Sequence, residues 1–271
     1  MTPYITIGMA SSNNPQEVWW TCQALRLYQD LEDCELLVID NSDSSTVQKI
    51  CRDVKVRCIT YTDVRGTAMP RNKVFECANG NFVLCIDSHV FLWPEAISKL
   101  RKWVKKNYNA ARCLIHGPIV MSNLESAFFN YEDQWRAGMW GIWPKKPART
   151  FEMNELPKQI NLMACGLMGC RKDSWLGFCS KCQGFGGVEG VLHQKYKKAG
   201  RKILSLPFLK WCHYFAPTKK VSDITDRVIN FIHGFKELKM EYPKEFINEF
   251  GISIIRKCER VINDSRPNGN S

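Results

Sequence analysis

The sequence predicts an α/β protein, with a mostly parallel sheet flanked by helices and a helical extension at the C-terminus. In the first third of the chain, apolar segments alternate with segments of helical periodicity. The apolar segments are continuous, which is typical of parallel strands covered on both faces. Residues 221–263 have the pattern of two amphipathic helices that divide near Pro243.

The first third has the order β-α-β-α-β-α-β. Its strands are predicted at YITIGMA, CELLVID, VRCITYT and GNFVLCID, and its helices at PQEVWWTCQALRLYQDL, SSTVQKICRD and AMPRNKVFECA. Further along we predict helices at PEAISKLRKWVKKN and VEGVLHQKYKKAG, and strands at RCLIHGPIVM, INLMACGLMGC and KILSLPF. Residues 122–160, rich in Trp and Pro, are predicted to be a loop-dominated segment over a site. We therefore expect a main domain at 1–217, a helical extension at 218–264 and a polar tail at 265–271.

The composition is that of a folded protein and not of a disordered one. The 271 residues, 45% hydrophobic and 24% charged, are enough to bury a large core. No run approaches the roughly 20 apolar residues of a membrane span, and no signal peptide pattern follows Met1. The thirteen cysteines are an odd number, and several lie in apolar runs, which does not suit a disulfide scaffold. We expect a cytoplasmic protein, and the sequence leaves its oligomeric state open.

The net charge of +11 is unevenly distributed. Between residues 190 and 222 there are eight Lys or Arg and no acid, and a second basic block lies at 99–106. Such runs are either solvated helix faces or surfaces for a polyanion. The charge therefore allows an anionic partner without specifying it.

Acidic residues end two of the predicted strands, Asp40 in CELLVID and Asp87 in NFVLCID. Ligands bind at the carboxyl ends of parallel strands, so both acids are expected at a ligand site. Asp87 and His89 are two residues apart and project in the same direction, and an oxygen with an imidazole nitrogen suits Mn²⁺ better than Ca²⁺. His213, beyond the last predicted strand, is the candidate third ligand. The alternative is a turn or helix-cap role for Asp87 and a structural role for each histidine.

The order of several segments resembles that of a known family. ITIGMASSNN, ELLVIDNSDSS, RGTAMPRNKVFECANGNFVLCIDSH, GLMGCRKDSWLGF and GFGGVEGVLHQKYKKAGRKILSLP follow one another over residues 4–215. This order is similar to that of nucleotide-sugar glycosyltransferases of the GT-A fold, in particular family 2 and the polypeptide N-acetylgalactosaminyltransferases. The form DSH at residues 87–89 matches the latter group.

The resemblance implies a role for each matching residue. The turn at Ala10 and Ser11, together with Asp40, would hold the nucleobase and ribose, and Arg71 would lie near the nucleotide. Within the DSH motif, Ser88 would belong to the donor site, and Asp87 and His89 would bind Mn²⁺ (or Mg²⁺) on the diphosphate. His213 would complete the metal shell. The implied donor is a nucleoside diphosphate sugar.

Glu189 matches the segment that reaches the donor sugar and the acceptor. Many inverting members have Glu-Asp here, with the Asp as general base, but this chain has Gly190 after Glu189. Glu189 is therefore either the base or a ligand of a sugar hydroxyl, and inversion and retention both stay open. A third hypothesis is that Glu189 is an ordinary acid at a helix N-terminus, where the helix dipole stabilises its charge.

Other residues are weaker candidates. Two pairs of cysteines suggest a four-thiolate zinc site, although the first pair lies on an apolar strand. Three tryptophans either stack on a sugar or base or pack under a loop, and two histidines are left as structural. These residues are Cys165, Cys170, Cys179 and Cys182; Trp135, Trp140 and Trp143; and His116 and His193.

Together these observations predict a metal-dependent glycosyltransferase. Because of the basic stretch 190–222, one candidate acceptor is a hydroxymethylated base in DNA. Competing acceptors are a surface glycan, a lipid-linked sugar or a protein hydroxyl. A non-catalytic module that binds nucleic acid or a sugar nucleotide is the alternative from another functional class, and the missing Asp after Glu189 is its main support.

Overall fold

The structure is a computed structural model that describes residues 4–149, 156–214 and 223–264. The strands in chain order are β1 (Ile5–Ser11), β2 (Cys34–Asp40), β3 (Arg57–Thr60), β4 (Phe82–Asp87), β5 (Val90–Leu92), β6 (Leu114–His116), β7 (Ile119–Val120), β8 (Ser126–Phe128), β9 (Glu132–Arg136), β10 (Met139–Ile142), β11 (Ala148–Arg149), β12 (Lys158–Gln159), β13 (Leu167–Arg171), β14 (Ile203–Ser205) and β15 (Trp211–His213). The helices are α1 (Pro15–Tyr28), α2 (Thr46–Asp53), α3 (Ala68–Cys77), α4 (Ala96–Lys106), α5 (Glu189–Lys198), α6 (Ile224–Glu237), α7 (Lys244–Phe250) and α8 (Ile252–Asp264).

The central sheet has eight strands in the order β12-β14-β6-β13-β4-β1-β2-β3. β1 is parallel to β2 and β4, β2 to β3, and β14 to β6, whereas β13 is antiparallel to β4 and β6. β12 is antiparallel to β14. The predicted α/β class with a mostly parallel sheet is confirmed.

Helices cover both faces of this sheet. α1 buries Val18, Cys22 and Leu25, spaced three to four residues apart, in the same cluster as residues of α2 and α4. α3 and α5 lie on the other face, where Phe75 and Tyr196 are buried. Each such apolar side chain contributes about 1.5–3 kcal/mol when fully buried. Within the described residues, no helix is both long and apolar enough to cross a bilayer.

A second sheet, in the order β11-β8-β7-β15-β5, lies beside the first. β4 belongs to the central sheet and β5 to the second, so the chain passes from one sheet to the other at residues 87–89. Apolar residues therefore precede and follow the polar segment DSH, because each flank is a buried strand. The chain crosses again between β6 and β7, so the single strand predicted at RCLIHGPIVM is in fact two.

Two further predictions about the elements are incomplete. Five short strands, β8 to β12, including the hairpin of β9 and β10, lie within the segment 122–160, which was predicted only as loop-dominated. The C-terminal extension has three helices and not two, because Gly251, at φ 77°, ends α7 after the break at Pro243. The domain boundaries themselves stay a prediction, and the tail at 265–271 lies outside the described residues.

Candidate active site

Three strands end side by side at one edge of the central sheet. In the register of these strands, Ser11 pairs with Asp40 and Ala10 pairs with Asp87. β1 lies between β2 and β4, so both acids reach the same edge, as expected from the sequence. In open α/β sheets this carboxyl edge is where ligands bind.

Asp87, His89 and His213 bring three ligand atoms together at this edge. His89 Nε2 lies 2.9 Å from His213 Nε2, and Asp87 Oδ2 lies 3.9 Å from His89 Nε2 and 3.8 Å from His213 Nε2. Among the described residues, this is the one group of three or more side chains spaced to hold a metal ion. Ligand atoms about 2.1 Å from a small octahedral cation are about 3 Å apart when adjacent and about 4.2 Å apart when opposite, so all three separations lie in the range that one cation spans. One oxygen with two imidazole nitrogens suits Mn²⁺ better than Ca²⁺.

The second sheet explains how His213 reaches the cluster. β5 pairs antiparallel with β15, and His213 is the partner of Val90 in their register. His89 immediately precedes Val90, so the backbones of the two histidines are neighbours. The backbone N–H of Tyr214 donates to the carbonyl of His89 at 3.0 Å and extends this pairing.

A buried ion pair joins Arg71 of α3 to Asp87. The Arg71 guanidinium donates to Asp87 Oδ1, which leaves Oδ2 facing the histidines. Burial alone would raise the pKa of Asp87, but Arg71, His213 and His89 together outweigh it and hold that pKa well below its usual range. Asp87 is therefore a carboxylate at every working pH, as a metal ligand must be.

Glu17 of α1, which the sequence did not point to, holds the His89 ring in place through the nitrogen that faces away from the cluster. Its Oε2 lies 2.9 Å from His89 Nδ1 and 3.3 Å from the Ser88 hydroxyl. A carboxylate only accepts, so His89 Nδ1 carries the hydrogen and Nε2 presents a lone pair to the cluster. Thr21 anchors the same turn by donating to the Ser88 carbonyl at 2.6 Å. Ser88 thus contacts α1, and its place in the donor site stays a prediction.

Ser11 and Asp40 present buried polar atoms that have no hydrogen-bond partner in the structure. Asp40 Oδ1 accepts from the Ser42 backbone N–H at 3.0 Å, but Asp40 Oδ2 and Ser11 Oγ make no hydrogen bond. Unpaired buried polar atoms cost free energy, so such a pair at a strand edge is typical of a ligand site. Hydroxyl and N–H groups of a ribose or nucleobase would satisfy both atoms.

Glu189 begins α5 at the end of a glycine loop that α6 supports. Gly186 and Gly187 have φ of 88° and 74°, which glycine tolerates best. Asn230 Nδ2 donates to the carbonyls of Gln183 and Gly186 at 2.7 and 2.9 Å, and its Oδ1 accepts from the Gln183 backbone N–H at 2.9 Å. Burial, followed by the charge of Asp87, raises the pKa of Glu189.

The structure gives a physical reason for Gly190. A Cβ atom at this position would lie 2.4 Å from the ring of Trp140, so no side chain fits unless Trp140 moves. Trp140 is itself fixed, because its Nε1 donates to Asp133 at 2.6 Å. The Asp that the resemblance leads one to expect after Glu189 is therefore excluded by packing.

Comparison with known proteins identifies the family. The model of glycosyl transferase family 2 matches residues 7–175, which is more than half of the chain. The chain belongs to glycosyl transferase family 2. No curated protein sequence matches this family 2 chain.

Solved structures show that the family 2 chain has a GT-A fold. One similar structure is GalNAc-T7 with UDP, GalNAc and Mn²⁺, at a TM-score of 0.71 and 14% identity, covering 99% of this chain and 52% of the other. S. aureus TarS has a TM-score of 0.54 at 14% identity, covering 92% and 44%. The mannosyltransferase PcManGT of Pyrobaculum calidifontis, in complex with GDP-Man and Mn²⁺, has 0.54 at 13%, covering 100% and 77%. The chain thus spans about half the length of the first two.

Three groups of weaker candidates lie outside the cluster. In the described part of the family 2 chain, the four cysteines are not among the groups spaced to hold a metal, so the zinc hypothesis gains no support. Trp135 packs on Phe231, Phe246 and Phe250 of the C-terminal helices, and Trp143 on Phe128 and Tyr131. These ring contacts favour the alternative in which the tryptophans pack against other parts of the chain.

His116 and His193 contact each other, although the sequence suggested no partner for either. Both side chains are fully buried, and their Nε2 atoms lie 3.1 Å apart. His116 Nδ1 lies 2.9 Å from the Leu167 carbonyl, and His193 Nδ1 lies 2.7 Å from the Glu189 carbonyl. Burial lowers the pKa of both, that of His193 to about 4. They are neutral core residues, His193 on α5 and His116 at the end of β6.

Three lysines in the described part of the basic stretch 190–222 have partners within the family 2 chain. Lys195 pairs with Glu237, and Lys197 with Asp133 at 3.3 Å. Lys198 donates to the Leu238 carbonyl at 2.7 Å. Residues 215–222 lie outside the described residues. Much of this charge holds α5 to its neighbours.

Proposed function

We propose that this chain is a metal-dependent glycosyltransferase that moves a sugar from a nucleoside diphosphate sugar to an acceptor hydroxyl. The observation that carries the proposal is the cluster of Asp87, His89 and His213 beside the unpaired atoms of Ser11 and Asp40. The first group fits a cation on a diphosphate, and the second fits the ribose or base. GalNAc-T7 with UDP and Mn²⁺, and PcManGT with GDP-Man and Mn²⁺, support this assignment.

In the proposed reaction, the bond between the anomeric carbon and the diphosphate oxygen breaks, and its electron pair leaves with the nucleoside diphosphate. The acceptor oxygen forms the new bond to carbon, and its proton passes to Glu189 or to the released diphosphate. Asp87, His89 and His213 would hold a Mn²⁺ (or Mg²⁺) ion, which would supply positive charge against the charge that develops on the leaving group. Arg71 keeps Asp87 ionised, and Glu17 aims His89 at the same point.

Two alternative roles are proposed for Glu189, general base or ligand of a sugar hydroxyl, and an experiment distinguishes them. Its raised pKa suits a general base, while its place at the end of a glycine loop also suits a ligand of a sugar hydroxyl. We expect Glu189→Gln to abolish transfer but not donor binding if it is the base. The variant would keep part of the activity if Glu189 only binds a hydroxyl. The anomeric configuration of the product, read by NMR, decides between inversion and retention.

The identity of the acceptor is a separate question, and the two classes compared are DNA and carbohydrate. Hydroxymethylated DNA was suggested by the basic stretch 190–222, but Lys195, Lys197 and Lys198 are engaged within the protein. If DNA is the acceptor, its binding should weaken steeply with salt because counterions are released. A carbohydrate acceptor is better supported, as argued below. All thirteen cysteines are free thiols, which supports a proposed reducing, cytoplasmic location.

Turnover tests the proposal and separates it from a non-catalytic binding module. We expect release of nucleoside diphosphate from one sugar nucleotide, loss of that release with EDTA, and recovery with added Mn²⁺. Asp87→Ala should lose it, whereas Asp53→Ala, an exposed acid at the end of α2, should not. Full activity in Asp87→Ala would remove the metal assignment, and binding of the donor without turnover would favour the module.

A further inference from the structure

A cavity of about 300 Å³ adjoins the metal cluster on the side of α1. It lies between the first two turns of α1, strand β5 and the end of β15. Its principal lining residues are Gln16, Glu17, Trp20, His89, Phe91 and Tyr214. The volume is at the lower end of the range for small-molecule sites, which is enough for one or two rings. None of the roles discussed above uses this cavity.

His89 connects the cavity to the metal cluster. The imidazole lines the cavity, while its Nε2 lies 2.9 Å from His213 Nε2 in the cluster. The His89 side chain alone therefore separates a molecule in the cavity from a cation bound at the cluster. α1, whose first turns line the cavity, covers the face of the sheet opposite α3 and α5.

Two aromatic side chains stand open to solvent at this cavity. Trp20 is 59% exposed and Tyr214 is 58% exposed, whereas Phe91 is partly buried. Trp20 contacts Trp19 edge-on at 5.0 Å between ring centroids, so the faces of Trp20 are not stacked on that ring. Exposed aromatic groups beside a cavity are typical of binding sites, because they offer large apolar area at a low cost in conformational entropy.

The polar groups of the cavity point to a neutral ligand. Among the described residues, no Lys or Arg lines it, and Glu17 contributes a carboxylate. The polar groups that remain for a ligand are the amides of Asn14 and Gln16 and the hydroxyl of Tyr214, which suit the hydroxyls of a sugar. A phosphate group would meet a carboxylate and no cation here, which makes nucleic acid a poor occupant.

We propose that this cavity is the acceptor subsite and that it binds a sugar ring, so that the acceptor is a neutral glycan. The inference rests on the proposed transferase function. Trp20 and Tyr214 stack on the apolar faces of the saccharide, and Gln16 and Asn14 hydrogen-bond its hydroxyls. The bound ring lies one side chain away from the cation that holds the donor diphosphate.

Binding and kinetics of matched variants test the subsite. Saturation-transfer NMR with a panel of neutral oligosaccharides should give a signal for the wild type and for Tyr28→Ala, and none for Trp20→Ala or Tyr214→Ala. Tyr28 is the control because it is an exposed aromatic residue of the same helix, 61% exposed, that does not line the cavity. Trp20→Phe should restore the signal, which shows that an aromatic face is required.

Kinetics add a readout that separates this subsite from the donor site. In Trp20→Ala and Tyr214→Ala, KM for the saccharide acceptor should rise about tenfold or more, while Mn²⁺-dependent hydrolysis of the donor stays unchanged. If Mn²⁺ and a donor bind but no saccharide of the panel does, the subsite is wrong and the transferase proposal stands. If saccharides bind here and no donor does, the transferase proposal fails. Tight binding of duplex DNA that Trp20→Ala weakens would overturn the choice of a neutral glycan.

Discussion

The hydrogen bonds of Asn230 predict that the C-terminal helices stabilise the Glu189 loop. Asn230→Leu keeps a similar volume but removes three hydrogen bonds, two partly buried ones with Gln183 and a buried one with Gly186. At about 1 kcal/mol each, the free energy of unfolding should fall by about 3 kcal/mol. For a chain of this size, that corresponds to a Tm lower by about 6–12 °C. Urea denaturation and a thermal melt measure both quantities.

Two companion variants make the result specific. Asn230→Asp keeps the shape but places an oxygen against two carbonyls, so it should cost at least as much as Asn230→Leu. Asn248→Leu, at an exposed position of α7, should change stability by less than about 0.5 kcal/mol. Donor turnover should fall only in the Asn230 variants, because Glu189 follows the loop. A loss below 1 kcal/mol in Asn230→Leu would show that α6 does not hold the loop as described.

Three further predictions concern the surroundings of the site. Glu17→Gln should weaken Mn²⁺ binding by about 10- to 100-fold, measured by titration of free Mn²⁺ by electron paramagnetic resonance, and unchanged affinity would contradict the role of Glu17. Gly190→Ala should lower the free energy of unfolding, measured in urea, by about 1–3 kcal/mol, because the added methyl group clashes with Trp140. A smaller residue at position 140 should restore the stability. If Gly190→Ala alone is as stable as the wild type, the clash is contradicted. The lowered pKa values of His116 and His193 mean that the unfolded chain binds protons that the folded chain does not. Stability should therefore fall as pH falls from about 6.5 towards 4, by about 1 kcal/mol per pH unit for each histidine. His193→Gln should reduce this slope, and an unchanged slope would assign it to other groups.

The first half of the fold was predictable because its signals are local. Unbroken apolar strands and intervening helices identified β1 to β4 and their parallel order, and Asp40 and Asp87 were placed at the correct edge. The short strands between residues 122 and 160 were missed because they are two to five residues long, and one of them, β12, pairs with the distant strand β14. β15 was missed for the same reason, since it pairs with β5 and β7.

The three residues of the candidate metal site were predictable from the sequence, but the residues that hold them in place were not. His213 was chosen for its residue type and position in the order of segments, and the structure brings it to Asp87 and His89. Glu17 carries no pattern that separates it from an ordinary acid in the first turn of a helix. The packing of Trp140 on Gly190 depends on residues 50 positions apart in the chain, which no local pattern encodes.

The most direct test of the proposed function is the stability of the protein with sugar nucleotides, with and without Mn²⁺. One nucleoside diphosphate sugar at 100 times its Kd should raise the free energy of unfolding by about 2.7 kcal/mol, or the Tm by about 5–11 °C, and only when Mn²⁺ is present. Asp87→Asn and Asp40→Asn should lose the shift, and Asp53→Asn should keep it. No shift with any sugar nucleotide, or one that is equally large in EDTA and in Asp87→Asn, would contradict the assignment of the cluster as a donor-binding metal site.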